Sequence, residues 1–171
     1  GRYPEVIGDF VGVTTSNASG SKIDVFLRRS LDYEVRWDPS TGALRATATV
    51  TLTNEAPSSG LPDSVIGNAR DVLPGQGPMP PGWNHAFVTL YTPWDDDGAT
   101  LDGEPIGVEA KSELGRRALS TYVSIPPGES RTLVFELSGF LAATEYRLDL
   151  ASQPLVEPEQ ASVAISLAGG G

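Results

Sequence analysis

The sequence predicts an all-β fold, an immunoglobulin-like sandwich of two antiparallel sheets with one long crossover loop rich in Pro and Gly. Three observations predict it: apolar and polar residues alternate in many short stretches, 19 Gly and 14 Pro divide the 171 residues into short elements, and no stretch sustains a helical period. About eight or nine strands separated by turns are typical of such a sandwich. A closed barrel is the alternative that a strand count does not separate from it.

The longest alternation predicts a hairpin. Apolar residues occupy every second position from Leu31 to Trp37 and again from Leu44 to Leu52, and Thr or charged residues lie between them. The turn sequence "DPSTG" separates the two runs. Period two with one polar side is typical of half-buried antiparallel strands. We therefore expect Val50 to face the core and its neighbour Thr49 to face solvent.

Shorter stretches predict the remaining strands. They are "HAFVTLY", "ATL", "PIGVEA", "ALSTYVSI", "RTLVFEL", "EYRLDLA" and "ASVAISLA". After Ile125 the residues 126–129, "PPGE", predict a turn, because two Pro residues remove ladder donors and stop the strand. Phe135 then returns to the inward face.

One stretch predicts a short helix. In "SKIDVFLRR", Ile23, Phe26 and Leu27 fall at helical spacing, and Ser21 with Asp24 has the character of a capping box. The chain is long enough for one core. We expect a single β-sandwich domain over residues 1–171, with residues 1–21 as an N-terminal segment and residues 168–171 as a flexible tail.

The connection from Asn54 to Trp83 is unusually long and contains six Pro residues, whereas loops beyond about 12 to 15 residues are uncommon in compact domains. One interpretation is a crossover that packs across an open end of the sandwich. Its apolar residues would be Leu61, Val65, Ile66 and Leu73. The other interpretation is a preformed binding surface with Met79 and Trp83 as its anchors.

Composition excludes several classes of function. The net charge is −10, and the basic residues form no run longer than two, so the stripe that nucleic-acid binding requires is absent. The same charge opposes contact with an anionic membrane surface. No apolar stretch approaches the roughly 18 residues of a membrane span. Because there are no cysteines, disulfides, zinc–thiolate sites and cysteine nucleophiles are excluded.

The stretch "PWDDDGATLDGEP" concentrates acidic residues. Its spacing does not fit an EF-hand loop, which needs alternating ligands, a Gly and a later bidentate Glu. We interpret Asp97-Gly98 and Asp102-Gly103 as two turns around the short strand "ATL". A looser calcium site at Asp95 and Asp97 is the weaker alternative, and we expect no metal or other cofactor.

Candidate catalytic residues are sparse. His85 is the sole histidine, and no G-x-S-x-G, P-loop or dinucleotide-binding pattern occurs, so we interpret His85 as a hydrogen-bonded structural residue. A hydrolase with unassigned carboxylates is the least favoured class. Trp83, Tyr91 and Trp94 cluster around one strand, which suggests a sugar-stacking platform as an alternative to core packing.

Five stretches, in this order along the chain, carry a resemblance to a known family. They are "SKIDVFLRRSLDYEV", "GALRATATVTLTNEAPSSGLPDSVIGN", "LDGEPIGVE", "ELGRRALSTYVSIPPGESRTLVFEL" and "YRLDLASQPLVEP". From about Lys22 to Pro158, the chain resembles the carboxy-terminal extracytoplasmic region of a family of large actinobacterial membrane-anchored proteins that is catalogued as a domain of unknown function.

This resemblance implies export, anchoring through a membrane helix outside these residues, and a link to cell-envelope or polysaccharide assembly. It transfers no catalytic residue. We therefore expect a non-catalytic extracellular structural or interaction module. Its partners would be other domains of the parent protein or envelope components, with an envelope glycan as the alternative and neither nucleic acid nor membrane in contact with it.

Overall fold

The computed structural model describes residues 8–67, 79–113 and 115–168, and the strands within them form two sheets packed face to face as a sandwich. The strands are β1 (Asp9–Asn17), β2 (Leu27–Trp37), β3 (Ala43–Asn54), β4 (Asn84–Thr92), β5 (Asp95–Leu101), β6 (Glu104–Ile106), β7 (Glu109–Glu113), β8 (Arg116–Ile125), β9 (Ser130–Phe140), β10 (Leu148–Ser152) and β11 (Gln160–Leu167). A 3₁₀ turn spans Ile23–Phe26, and a single-turn helix, α1, spans Asp63–Ile66.

One sheet has the strand order β10-β1-β4-β8-β7, and the other has the order β11-β2-β3-β9-β5-β6. Two separate sheets confirm the sandwich over the barrel. The sheets are mixed rather than purely antiparallel, because β10 runs parallel to β1 and β11 runs parallel to β2. A parallel neighbour requires a crossover, and here the last two strands of the chain return to lie beside the first two. The immunoglobulin-like label stays a prediction.

The hairpin prediction is confirmed. Leu31 lies opposite Val50 and Trp37 lies opposite Leu44 in the register of β2 and β3. The inward residues of both strands are buried in the core, and Thr49 lies on the opposite, partly exposed face. The turn after Ile125 is confirmed as well, since β9 begins directly after Glu129.

The predicted N-terminal segment, residues 1–21, contributes a strand to the sandwich in the part that the structure describes. β1 lies inside the five-stranded sheet between β10 and β4. Its Val11 and Val13 are buried in the core. The alternation of Val11, Val13 and Thr15 was visible in the sequence. At the other end, the backbone N–H of Ala168 still donates to Trp37 O, and residues 169–171 lie outside the described residues.

Two further element predictions need correction. The stretch "PIGVEA" is not one strand, because β6 ends at Ile106 in the six-stranded sheet and β7 begins at Glu109 in the five-stranded sheet. The stretch "SKIDVFLRR" forms the 3₁₀ turn and then enters β2 at Leu27, and no side-chain capping bond forms. Pairing of β2 with β3 overrides the local helical spacing there.

The long connection packs as a crossover in part. Ile66 is buried with Ile23 and Ala56 in a small second core, and Val65 packs against it. Leu61 is 40% exposed, so its predicted burial is wrong. Leu73 lies outside the described residues.

The assignment of residues to the inward or outward face of each strand predicts that substitutions on the two faces differ sharply in their effect on stability. Phe135 is fully buried, so Phe135→Ala should lower the free energy of unfolding by about 3 to 5 kcal/mol through the cavity it leaves. Thr49→Ala, on the outward face, should change it by no more than about 0.5 kcal/mol. Urea denaturation of both variants checks this, and equal losses would show that the facing assignment is wrong.

Candidate functional site

A buried carboxylate joins the two sheets at one end of the sandwich. Asp9, at the start of β1, is 0% exposed. Its oxygens accept hydrogen bonds from Tyr33 Oη at 2.9 Å, Trp94 Nε1 at 2.6 Å and Tyr146 Oη at 2.5 Å. A buried carboxylate is costly unless donors surround it, and these three side chains supply them.

The donors come from different parts of the fold. Tyr33 lies on β2 of the six-stranded sheet, Trp94 directly precedes β5 of that sheet, and Tyr146 lies in the connection from β9 to β10. Burial raises the pKa of Asp9, and the hydrogen bonds from Tyr146, Tyr33 and Trp94 oppose that rise. Burial, together with the hydrogen bond and the charge of Asp9, raises the pKa of both tyrosines, so they stay protonated as donors. Sequence reasoning missed this network, because its residues are far apart in the chain.

A second buried polar cluster fixes the connection between β10 and β11. The Arg29 and Glu159 side chains are 0% and 2% exposed, and Arg29 Nε donates to Glu159 Oε2 at 2.8 Å. Arg29 Nη1 also donates to Gln153 Oε1 at 3.1 Å. Gln153 in turn accepts from the backbone N–H of Thr15 at 2.8 Å and donates to its carbonyl at 3.0 Å. The connection is therefore fastened to β1 and β2.

Beyond these clusters the sandwich is open along one side, where β10 and β11 are the edge strands. In the register, Leu150 shares a face with the buried Val11, and alternate residues of β11 share a face with buried residues of β2. Their exposures are nevertheless Leu150 44%, Val163 41%, Ile165 48% and Leu167 67%. We call these four residues the open edge. They point to the core side of their strands, but they lie largely in solvent.

The edge formed by β11 differs from the other edges of the described sheets. Edge strands usually carry charges, Pro or very short lengths that prevent pairing with another chain. β6 is three residues long and contains Pro105, β7 contains Glu109, Lys111 and Glu113, and β10 contains Asp149. β11 is eight residues long, all of them exposed, and has neither a charge nor a Pro. The absence of charge and Pro from residues 160–167 is visible in the sequence, and it is the signal from which this edge strand could have been suspected.

His85 is a buried structural residue, 1% exposed. Ser124 Oγ lies 2.6 Å from its Nδ1, and its ring stacks on Tyr122 with centroids 5.7 Å apart. Burial lowers the pKa of His85, which favours the neutral ring. Nε2 is buried without a hydrogen-bond partner among the described residues. The hydrogen-bonded interpretation of His85 is confirmed.

The four predicted binding residues do not form one site. Trp94 is 6% exposed and bound to Asp9, so its ring is not free to stack on a sugar. Trp83 directly precedes β4 and Tyr91 lies near its far end, about 26 Å away at 3.3 Å per residue. The predicted platform is therefore wrong. Tyr91 Oη donates to Glu113 on the outer face, and Met79 and Trp83 are partly buried.

The acidic stretch forms one of the two predicted turns. Asp102 and Gly103 have φ of 51° and 86° between β5 and β6, which confirms that turn. Asp97 and Gly98 instead lie within β5, where the register with β9 shifts between Asp96 and Gly98, so a β-bulge replaces the second turn. A bulge accommodates one extra residue without ending the strand.

Both residues of the weaker calcium alternative have protein partners. Asp95 pairs with Arg117, and Asp97 Oδ1 accepts from Ser138 Oγ at 2.9 Å. Within residues 8–67, 79–113 and 115–168, no group of three or more His, Cys, Asp or Glu side chains is placed to hold a metal ion. No helix in that part of the chain is both long and apolar enough to cross a membrane.

Comparison with known proteins gives distant similarity. No family model and no curated protein matches the chain. The chain is similar to a solved Legionella pneumophila structure provisionally described as a nutrient binding protein, at 7% identity and a TM-score of 0.44, over 77% of this chain and 43% of that one. It is also similar to a mutant two-domain M1 zinc metallopeptidase bound to L-tryptophan, at 14% identity and a TM-score of 0.33, over 67% of this chain and 20% of that one. The chain thus spans less than half of either structure, and similarity at this level says nothing about its function.

The buried carboxylate predicts a particular pH dependence. The folded pKa of Asp9 lies above the ordinary value of 3.8, so its contribution to stability is fully present below that value and is lost as the pH rises through the folded pKa. Asp9→Asn removes this titration. The free energy of unfolding of the wild type minus that of Asp9→Asn should therefore fall with rising pH across this window. Denaturant titrations over a pH series measure it, and a difference that rises with pH would contradict the assignment.

Proposed function

We propose that the chain is a non-catalytic extracellular interaction module of a membrane-anchored cell-envelope protein, and that it contacts another polypeptide through the open edge. The observation that carries this proposal is β11, an uncharged edge strand whose core-facing side chains are exposed. The resemblance of the sequence to an extracytoplasmic region supports the location.

The physical reason is the cost of leaving such an edge uncovered. The backbone edge of β11 that faces away from β2 has no strand partner within the described residues, so its N–H and C=O groups can pair with another chain. Pairing with another strand would also bury the exposed apolar surface of Val163, Ile165 and Leu167. Main-chain pairing would supply affinity, and the apolar row would supply specificity.

The non-catalytic part of the proposal is supported by the single histidine. A general base must reach the proton that it removes. His85 Nδ1 is occupied by Ser124, and Nε2 is buried. The ring therefore has no free nitrogen at the surface.

The test is site-specific crosslinking in cells that express the parent protein. A photoreactive residue at Val163, which lies on the open edge, should give adducts with a polypeptide. The same residue at Thr49, on the outward face of β3, is the matched control and should give few. Adducts at Val163 that do not exceed those at Thr49 would show that the edge is not a contact surface.

A second candidate function, glycan binding, is favoured by a different observation. On the outer face of the five-stranded sheet, Tyr122 is 50% exposed and its ring centroid lies 4.7 Å from that of Phe87. Half-exposed aromatic rings on a sheet face can stack on the apolar face of a sugar. This pair replaces the Trp83, Tyr91 and Trp94 platform.

If the outer face binds glycan, Tyr122→Ala should weaken binding to envelope polysaccharide about tenfold, which corresponds to about 1.4 kcal/mol. Phe140→Ala is the control, because Phe140 is an exposed aromatic residue at 66% that lies on the other sheet. Titration calorimetry with fragmented polysaccharide measures both. Equal loss in the two variants, or no binding by the wild type, would remove this candidate.

A further inference from the structure

We propose that the polypeptide on the open edge is a second copy of this chain, whose β11 pairs antiparallel with β11 across a two-fold axis beside Ala164. This inference rests on the proposed function, because it names the partner of the same surface. The two six-stranded sheets would join into one continuous sheet.

The sequence of β11 is self-complementary in this register. Placing Ala164 opposite Ala164 of the second copy puts Val163 opposite Ile165 and Ala161 opposite Leu167. In each pair both side chains lie on the core side, because alternate residues of a strand share a face. The outward face then brings together Ser162 and Ser166. Apolar residues meet apolar residues, and small polar residues meet small polar residues.

The charge distribution permits this contact. Each copy carries a net charge of −10, which would oppose association over most of the surface. β11 itself carries no charge, and Glu159, just before it, is neutralised by Arg29. No like charges therefore face each other along the paired β11 strands, and the exposed Asp149 of β10 lies on the outward side of its strand, opposite Phe10 in the register. The remaining repulsion acts at longer range and is screened by salt.

The two-fold axis also covers the rest of the open edge. An axis perpendicular to the six-stranded sheet places both five-stranded sheets in the same layer, with their β10 edges facing each other. Leu150 projects to the core side of β10 and is 44% exposed. Leu150 of each copy would flank the row formed by Val163 and Ile165. Closed two-fold pairing of this kind buries the same patch on both copies.

The first test is the mass of the purified chain in solution. Light scattering over a concentration series should show a transition from 18.0 kDa to twice that mass, shifted to lower concentration by added salt. Ile165→Lys places a charge on the core side of the edge and should weaken association by about tenfold or more. The control is Thr49→Lys, which places the same charge on the outward face of β3, away from the edge, and should leave association unchanged.

The second test fixes the register. The chain has no cysteine, so a single introduced cysteine can form only an intermolecular disulfide. Ala164→Cys places the two thiols opposite each other, at a Cα separation of about 4.5 to 5.5 Å that a disulfide accepts. Ser162→Cys separates the two thiols by four residues along the strand, about 13 Å. Oxidation should crosslink Ala164→Cys rapidly and Ser162→Cys slowly.

Each outcome decides the proposal. A wild-type chain of 18.0 kDa at every concentration, association that Ile165→Lys leaves unchanged, or crosslinking through Ser162→Cys in place of Ala164→Cys would overturn it. Its failure is distinguishable from failure of the proposed function. A monomeric chain that still gives adducts at Val163 in cells has a different partner on the open edge, whereas a monomeric chain without such adducts refutes both proposals.

Discussion

The arrangement of this sandwich depends on how the buried carboxylate of Asp9 is satisfied. A carboxylate with no exposure is tolerated when donors surround it, and three long side chains converge on Asp9 from outside its own strand. This requirement fixes where β1 lies relative to β2, where the chain enters β5, and where the connection before β10 runs. Apolar packing between the sheets could tolerate small shifts, but hydrogen-bond geometry at Asp9 does not.

The Arg29 and Glu159 pair imposes a second constraint along the same side of the sandwich. A buried ion pair adds little net stability, but removal of one partner is expensive because it leaves an uncompensated buried charge. The pair holds residues 153–159 against β1 and β2, between β10 and β11, which run parallel to the strands that they flank. The two strands extend the sheets beyond the packed core. Their apolar side chains therefore point to the core side without reaching partners there, and the open edge results.

Alternation in the sequence was sufficient for the hairpin of β2 and β3 and for the turn before β9, because both depend on neighbouring residues. The same reasoning failed where contacts with distant residues determine the burial or conformation of a residue. Asp9 resembles a surface residue until Tyr33, Trp94 and Tyr146 converge on it, and Trp94 resembles a binding residue until its ring is placed in the core. At Gly98 the sequence indicates a turn, but the register of β5 with β9 shows a bulge there. The parallel partners of β10 and β11 could not be predicted, since pairing across the whole chain has no local signature.

The candidate surface could be predicted from the sequence only in part. The uncharged composition of β11 was readable in the sequence, but its place at an edge was not, and the same eight residues at the centre of a sheet would mean only a buried strand. The contrast with the charged or short strands at the other edges gives the composition its meaning.

Amide hydrogen exchange along β11 tests the central claim, that this edge is covered by another strand, most directly. Alternate amides of β11 point toward β2 and the others point away from it. If the edge is covered, the outward amides should become protected as the protein concentration rises or the partner is added, until both sets exchange slowly. Outward amides that exchange rapidly under all these conditions, while those facing β2 stay protected, would contradict the account.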